Sequence, residues 1–318
     1  MNDADETIPL GSAETSQNPN CPCTLSWFLV FTFIISLAAL GWQYIRVDQQ
    51  FQHQTQNLSD ITLQLERDRS FLNFEAGHYK QSLKSIGSAL SINPGQEDLA
   101  HLKAKVLAKL GQTNNAIQLL SQFINDQPND AQSLLQRGQL FIQLAAYPKA
   151  IDDFRSAASV TPKNEAIFLA LAKAHQATKA YKLAVIAYST VLDLNPTNTD
   201  ALWQRSIIYQ QINQPKTGIE DLTRLITQQP NNHAAYQLRA AMYAQLGRHK
   251  LALEDNQRVD NLSTQSADSQ LQRGISLHAL KQYSEAQQQF DTLIQHHPKM
   301  PDAYLARGKT NTALKQYD

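Results

Sequence analysis

Residues 129–162, NDAQSLLQRGQLFIQLAAYPKAIDDFRSAASVTP, decide the fold, because their pattern returns along the chain with a period of 34 residues. Prolines stand at that spacing at Pro94, Pro128, Pro162, Pro196, Pro230 and Pro298, and Thr264 occupies the one missing rung. A fixed period of this length means a repeat array rather than one globular core. Within residues 129–162, two apolar-periodic segments of about a dozen residues each flank Ala145-Ala146. The second segment ends near a proline, which lacks the N–H needed to continue a helix.

Two further ladders fix the register. Ser70, Ala104, Gly138, Ala172, Ser206, Ala240, Gly274 and Gly308 are all small, as are Ser82, Ala116, Ala150, Ala184, Gly218, Ala252 and Ala286. A small side chain at one point on each helix lets paired helices approach closely. Four residues after the second ladder come bulky groups: Ile86, Leu120, Phe154, Tyr188, Leu222 and Phe290. Asn256 breaks that series in the repeat that also lacks its proline, so that repeat is expected to be the least stable of the full ones. Polar or glycine turns, as at Gly77, Gly111 and Gly247, are expected between the helices of a pair.

These residues resemble the tetratricopeptide repeat (TPR). The family pattern appears as Leu134, Arg137-Gly138, Phe141, Ala150, Phe154 and Pro162, and again as Phe168, Leu171-Ala172, His175, Ala184, Tyr188 and Pro196. The resemblance covers residues 63–318, as seven repeats and part of an eighth. It implies an all-α fold, a right-handed superhelix of helix pairs with a concave, partner-binding face. It also implies that first helices line that face, at His101, Leu135, Leu169, Trp203, Gln237, Leu271 and Leu305, with Lys173, Ile207, Gln210 and Lys309 on the same stripe. A groove around Leu169, Trp203, Ile207 and Gln210 is the expected site for a peptide, since Trp offers a large apolar area with one donor. The competing reading has Trp203 packed against a neighbouring helix. The Lys and Asn set of chaperone-binding members is absent from any three consecutive repeats, which argues against capture of an Hsp70- or Hsp90-type tail by that clamp.

Arginine replaces the family's leucine at Arg137, Arg205, Arg239, Arg273 and Arg307. Sixteen residues further on stand Asp153, Asp221 and Asp255, as partners for the first three. Where leucine is kept, at Leu171, the later position is Ala187. This covariation favours structural ion pairs over an anion-binding groove.

Ahead of the array, residues 25–45, LSWFLVFTFIISLAALGWQYI, carry no charge. At ~1.5 Å per residue they span about 31 Å, enough for a bilayer core. Residues 24–45 are therefore read as one transmembrane helix, with Trp27, Trp42 and Tyr44 as interface aromatics. A cleaved signal peptide is the alternative; the acidic, Lys- and Arg-free residues 1–23 and the length of the run argue against it. Those first 23 residues are expected to be disordered. Arg46 alone leans the array toward the cytoplasm, and the side of the membrane stays open. Cys21 and Cys23, the only cysteines, abut the span; acylated and unmodified thiols are both consistent with this, and the redox compartment stays open. Residues 46–62 are Gln-rich and read as a helical stalk. Val47, Phe51, Leu58, Ile61 and Leu65 follow a rough heptad interrupted by Gln54, which leaves a homodimer through the stalk open.

With 28 basic and 28 acidic residues, the chain has no footprint of a nucleic-acid binder. No catalytic motif is present, and no catalytic residue, cofactor or metal ligand is assigned. The sequence is read as a non-enzymatic, membrane-anchored scaffold that binds protein or peptide partners. The alternatives are a docking arm for a catalytic domain beyond residue 318, since Asp318 falls inside an eighth repeat, and a structural spacer.

Overall fold

The computed structural model describes residues 22–262 and 266–314, and their regular structure is entirely helical. A long first helix, α1 (Pro22–Glu75), leads into α2 (Tyr79–Ile92), α3 (Glu97–Lys109), α4 (Thr113–Asp126), α5 (Ala131–Gln143), α6 (Tyr147–Val160), α7 (Glu165–Ala177) and α8 (Tyr181–Leu194). There follow α9 (Thr199–Gln211), α10 (Pro215–Gln228), α11 (His233–Gln245), α12 (His249–Leu262), α13 (Ala267–Ala279), α14 (Tyr283–His296) and α15 (Pro301–Ala313). From α3 onward, odd and even helices each recur in register with the 34-residue period. Thr264 and residues 1–21, Cys21 among them, lie outside the described residues.

Local chemistry sets both ends of the odd-numbered helices from α5 to α13. Asp130, Asn164, Asn198, Asn232 and Ser266, one period apart, are N-caps whose side-chain oxygens accept from backbone N–H groups of the first turn. At the other end, the chain turns through a left-handed residue at Gly77, Gly111, Ala145, Lys179, Asn213, Gly247 and Lys281. The next residue's N–H then reaches back over the last turn, as from Ala146 to the Phe141 carbonyl at 2.8 Å and from Ala180 to that of His175 at 2.8 Å. Four of the seven turns use no glycine, although L-residues disfavour this conformation by ~1–2 kcal/mol. The geometry is therefore imposed by packing of the pair, and glycine relieves it where present.

The small ladders mark the helix crossings. A Cβ built on Gly138 would lie 2.4 Å from the Phe154 ring, and one on Gly274 would lie 2.3 Å from the Phe290 ring. Both rings are fully buried. An apolar cluster runs from Leu134 to Val259, with a separate one from Leu271 to Ala303. Asn256, on α12, is only 1% exposed, and among the described residues its side-chain nitrogen has no hydrogen-bond partner. Its position holds Ile, Leu, Phe or Tyr in the other repeats. A buried unpaired amide costs ~1–3 kcal/mol.

α1 is continuous for 54 residues, from the apolar segment through the stalk into the first repeat. Its C-terminal part packs on the array through Leu63 and Phe74, and the Ser82 hydroxyl donates to the Ser70 carbonyl at 2.8 Å. The apolar part is the one described helix long and apolar enough to cross a membrane, and its side chains from Leu29 onward are exposed.

Replacing Asn256 by Leu is expected to raise the unfolding free energy by about 1–3 kcal/mol. Urea titration followed by circular dichroism would read this as a higher midpoint; an unchanged or lower one contradicts it.

Candidate functional site

The odd-numbered helices line the inner face, and two concavities open between them. One, of about 300 Å³, lies where α1, α3 and α5 meet, between Phe74, Lys105, Lys109, Gln136, Gln139 and Leu140. Gln136 is buried there, with its side-chain oxygen unpartnered among the described residues. The other, of about 410 Å³, lies between α13 and α15, with Leu271, Ile275, Phe290, Leu305 and Ala306 as apolar lining and Asp302, His278 and Lys309 as polar groups. Leu305 is 60% exposed, an aliphatic side chain presented to solvent beside a concave surface.

The expected groove residues divide between these features. Leu271 lines the concavity between α13 and α15 and is itself buried. Leu135, Leu169 and Trp203 are half-buried and pack against the central apolar cluster. Ile207, Gln210 and Gln237 are likewise half-buried on α9 and α11. Lys173 is exposed and pairs with Asp200 of the next odd helix at 2.7 Å. His101 departs from the expectation of a groove-facing side chain. It is buried, with Nε2 2.8 Å from an Asp130 carboxylate oxygen and 2.9 Å from the Ser133 hydroxyl. Asp130 caps α5, and the histidine fastens that cap to α3. Burial works against the Asp130 charge, but hydrogen bonds from Ser133, His101 and the Gln132 backbone outweigh it and hold the carboxyl below its usual range.

Behind the inner face, three arginines form one repeated motif. Arg205 Nε and Nη2 donate to the two oxygens of Asp221, at 2.8 and 2.7 Å, while Nη1 donates to the Ser189 hydroxyl at 2.7 Å. Arg137 does the same with Asp153 and Ser121, and Arg239 with Asp255 and Thr223. Each guanidinium thus joins three helices: its own, the even helix that follows and the even helix before it. The fork geometry of guanidinium matches carboxylate bidentately, which lysine cannot do. The arginines also lie over aromatic faces, Arg137 on Phe141, Arg205 on Tyr209 and Arg239 on Tyr243, at 5.8–5.9 Å. For Arg239, the Asp255 hydrogen bond raises the pKa against the cost of burial; for Arg205, burial opposes the charge first, and Asp221 overcomes it.

The hydroxyl partners were not read from the sequence, although they stand sixteen residues before each arginine. The same backward spacing finds Asp291, which accepts from Arg307 Nη1 at 2.8 Å. The three arginines with an aspartate sixteen residues on are engaged within the fold, and none of them lines either concavity.

The molecule is an α-solenoid of helix pairs, with both concavities lined mainly by odd-numbered helices. Residues 71–204 match the family model described as the N-terminal TPR repeats region of Psidin, and residues 268–299 match the tetratricopeptide repeat itself. The chain is a tetratricopeptide-repeat protein. Among solved structures it is similar to YrrB, a TPR protein with an unusual peptide-binding site, at 17% identity and TM-score 0.55, over 59% of this chain and 97% of that one. A tetratricopeptide repeat protein from Parabacteroides merdae aligns at 16% identity and TM-score 0.51, over 78% of this chain and 98% of its own. A chain of the Naa15/Naa10 complex bound to HypK-THB aligns at 19% identity and TM-score 0.56, over 80% of this chain and 39% of that one. Human protein O-mannosyl-transferase TMTC1 is 24% identical over 134 residues, which are 41% of this chain and 15% of the transferase. The match thus spans less than a sixth of that relative.

Asp221→Ala would leave the Arg205 guanidinium, 14% exposed, without its carboxylate, and is expected to cost about 3–5 kcal/mol, with Arg205→Met/Asp221→Leu recovering most of the loss. Urea unfolding of the three variants checks this, and equal losses in single and double variants contradict it.

His175, buried at the family's tyrosine position, has its pKa pushed down by burial first and by Arg155 second. The unfolded chain therefore takes up the proton more readily. The stability conferred by neutral His175 is complete above the ordinary value of 6.5 and is lost as pH falls from there toward the folded value. His175→Tyr is expected to flatten this dependence in urea midpoints measured across that window; an unaltered slope contradicts the assignment.

Proposed function

We propose that this protein is a membrane-anchored scaffold whose inner face binds protein or peptide partners and gathers them at a membrane. The concavity between α13 and α15 carries the reading. Its Leu271, Ile275 and Leu305 offer apolar contact beside Asp302 and Lys309, a combination that suits a peptide with alternating apolar and polar side chains. Trp203, Ile207 and Gln210, with Leu135, Leu169 and Gln237, continue the stripe toward the middle of the array, and the likeness to YrrB, a TPR protein with a peptide-binding site, supports peptide binding. Residues 24–45 supply the anchor in this reading, supported by the length, apolarity and exposure of that part of α1. Residues 46–62 form the stalk, and the repeats from residue 63 onward form the binding unit.

A second reading has the array as the substrate-docking arm of a larger enzyme. The match to part of a protein O-mannosyl-transferase supports it. An immunoblot of the native polypeptide separates the two: a mass well above the 35.7 kDa of this chain favours the arm, and a mass equal to it removes that reading.

Leu305→Asp and Ile275→Asp are expected to reduce partner recovery about tenfold or more in cross-linked pull-downs from native membranes, since each places a charge at an apolar contact. Circular dichroism should stay unchanged for the exposed Leu305. Equal recovery by both variants and by Trp203→Ala would refute binding by the inner face. Alkaline carbonate extraction tests the anchor, with the chain expected in the membrane pellet.

A further inference from the structure

The stalk holds an apolar seam that the array leaves uncovered. With Phe51, Leu58, Leu65 and Leu72 at heptad position a, position d is filled by Val47, Gln54, Ile61 and Asp68. The seam is longer than the stalk, running through four a positions into the helix that begins the first repeat. Leu58, Ile61, Leu65 and Leu72 are 62–71% exposed. The opposite side of the same helix is the one that holds the array. Leu63 and Phe74 pack on the first apolar cluster, Ser70 is fully buried, and Arg67 pairs with Asp98 at 2.7 Å. At 100° per residue, those positions centre about 150° or more around the helix from the seam. Another helix can therefore lie along the seam without displacing the array.

The spacing and the flanks identify the occupant. Six apolar groups at the eight a and d positions from 47 to 72 fit a helix of the same repeat, wound left-handedly. The flanking e and g positions are mostly uncharged, with Gln50, Asn57 and Gln64 on one side and Thr55 and Thr62 on the other. Like charges therefore do not repel an identical chain there, and a foreign helix would find little charge pattern to select it. Gln54 at a d position would meet its own copies in such an assembly, where a polar group in the seam sets the register. Asp68, held by the Gln64 side chain at 2.9 Å, loosens the seam at its array end.

We infer that this chain self-associates through residues 47–72 in a parallel coiled coil, presenting several arrays side by side. Leucine at a with β-branched Val47 and Ile61 at d favours three or four strands over two. The parallel sense rests on the membrane reading, because an anchor at residues 24–45 enters the bilayer from the same side in every copy.

The test uses the full chain in mild detergent. Sedimentation should give three or four protomers, falling to one for Leu58→Glu/Ile61→Glu with helix content retained. On a Cys21→Ser/Cys23→Ser background, Phe51→Cys, Ile61→Cys and Leu65→Cys should each self-cross-link on oxidation, and Gln56→Cys, on the far side, should not. A native chain of one protomer, an assembly that survives the double glutamate change, or equal cross-linking at Gln56 and Ile61 would overturn the proposal. Cross-linking confined to positions near the middle of the seam indicates antiparallel pairing and overturns it as well. If the membrane reading alone fails, the chain leaves the carbonate pellet while the cross-linking pattern persists.

Discussion

Each helix pair is built around a steric limit at the crossing: the backbone of the first helix must come close enough for a side chain of the second to lie on it. Gly138 under Phe154 and Gly274 under Phe290 are the extreme cases, where even a methyl group would overlap the ring. Ala104 and Leu120 share one apolar cluster, and Ser206 and Leu222, both fully buried, stand at the same repeat positions. Because the limit recurs with one period, successive pairs repeat the same packing, and the stack becomes a solenoid with odd-numbered helices side by side. The left-handed turns between helices follow from that constraint. Ala145 and Lys179 adopt them despite the steric cost because the pair on either side fixes where the chain must go.

The arginine clamps add a connection that apolar packing alone does not give. A repeat protein is stabilised by terms within repeats and terms between neighbours. Arg137, Arg205 and Arg239 contribute to both at once, since their aspartates lie in the same repeat and their hydroxyl partners in the preceding one. A repeat cannot detach from its predecessor without breaking a hydrogen bond to a nearly buried cation. The clamps fall inside the central apolar cluster, which runs from Leu134 to Val259.

Periodicity made the fold legible in the sequence, because helix packing writes the same residue type at the same offset many times over. The Arg137, Arg205 and Arg239 partners on the following helix could be named for the same reason: their aspartates covary with the arginines across repeats. The hydroxyl partners were less visible. Ser and Thr are common at exposed helix positions, so Ser121, Ser189 and Thr223 carry little signal until the guanidinium is seen between two helices. His101 misled because repeat position specifies which way a backbone points, whereas a side chain turns toward the strongest available partner, here the Asp130 carboxylate. The candidate site was the least legible part. Concavities arise from the gaps between neighbouring helices, and the two here lie toward the ends of the array, away from the aromatic residue that composition alone singles out.

The unbroken run of α1 from Pro22 to Glu75 has a mechanical consequence. A flexible leash would let the array sample all directions, but a continuous helix transmits rotation. For a chain held in a bilayer by residues 24–45, each residue of stalk fixes height and azimuth together, at ~1.5 Å and ~100° per residue. Inserting one residue would swing the inner face through more than a quarter turn while hardly raising it, whereas inserting seven would lift it by ~10 Å and return it nearly to its starting direction. In a chain so anchored, the stalk would act as a gear whose tooth spacing decides which way the inner face looks.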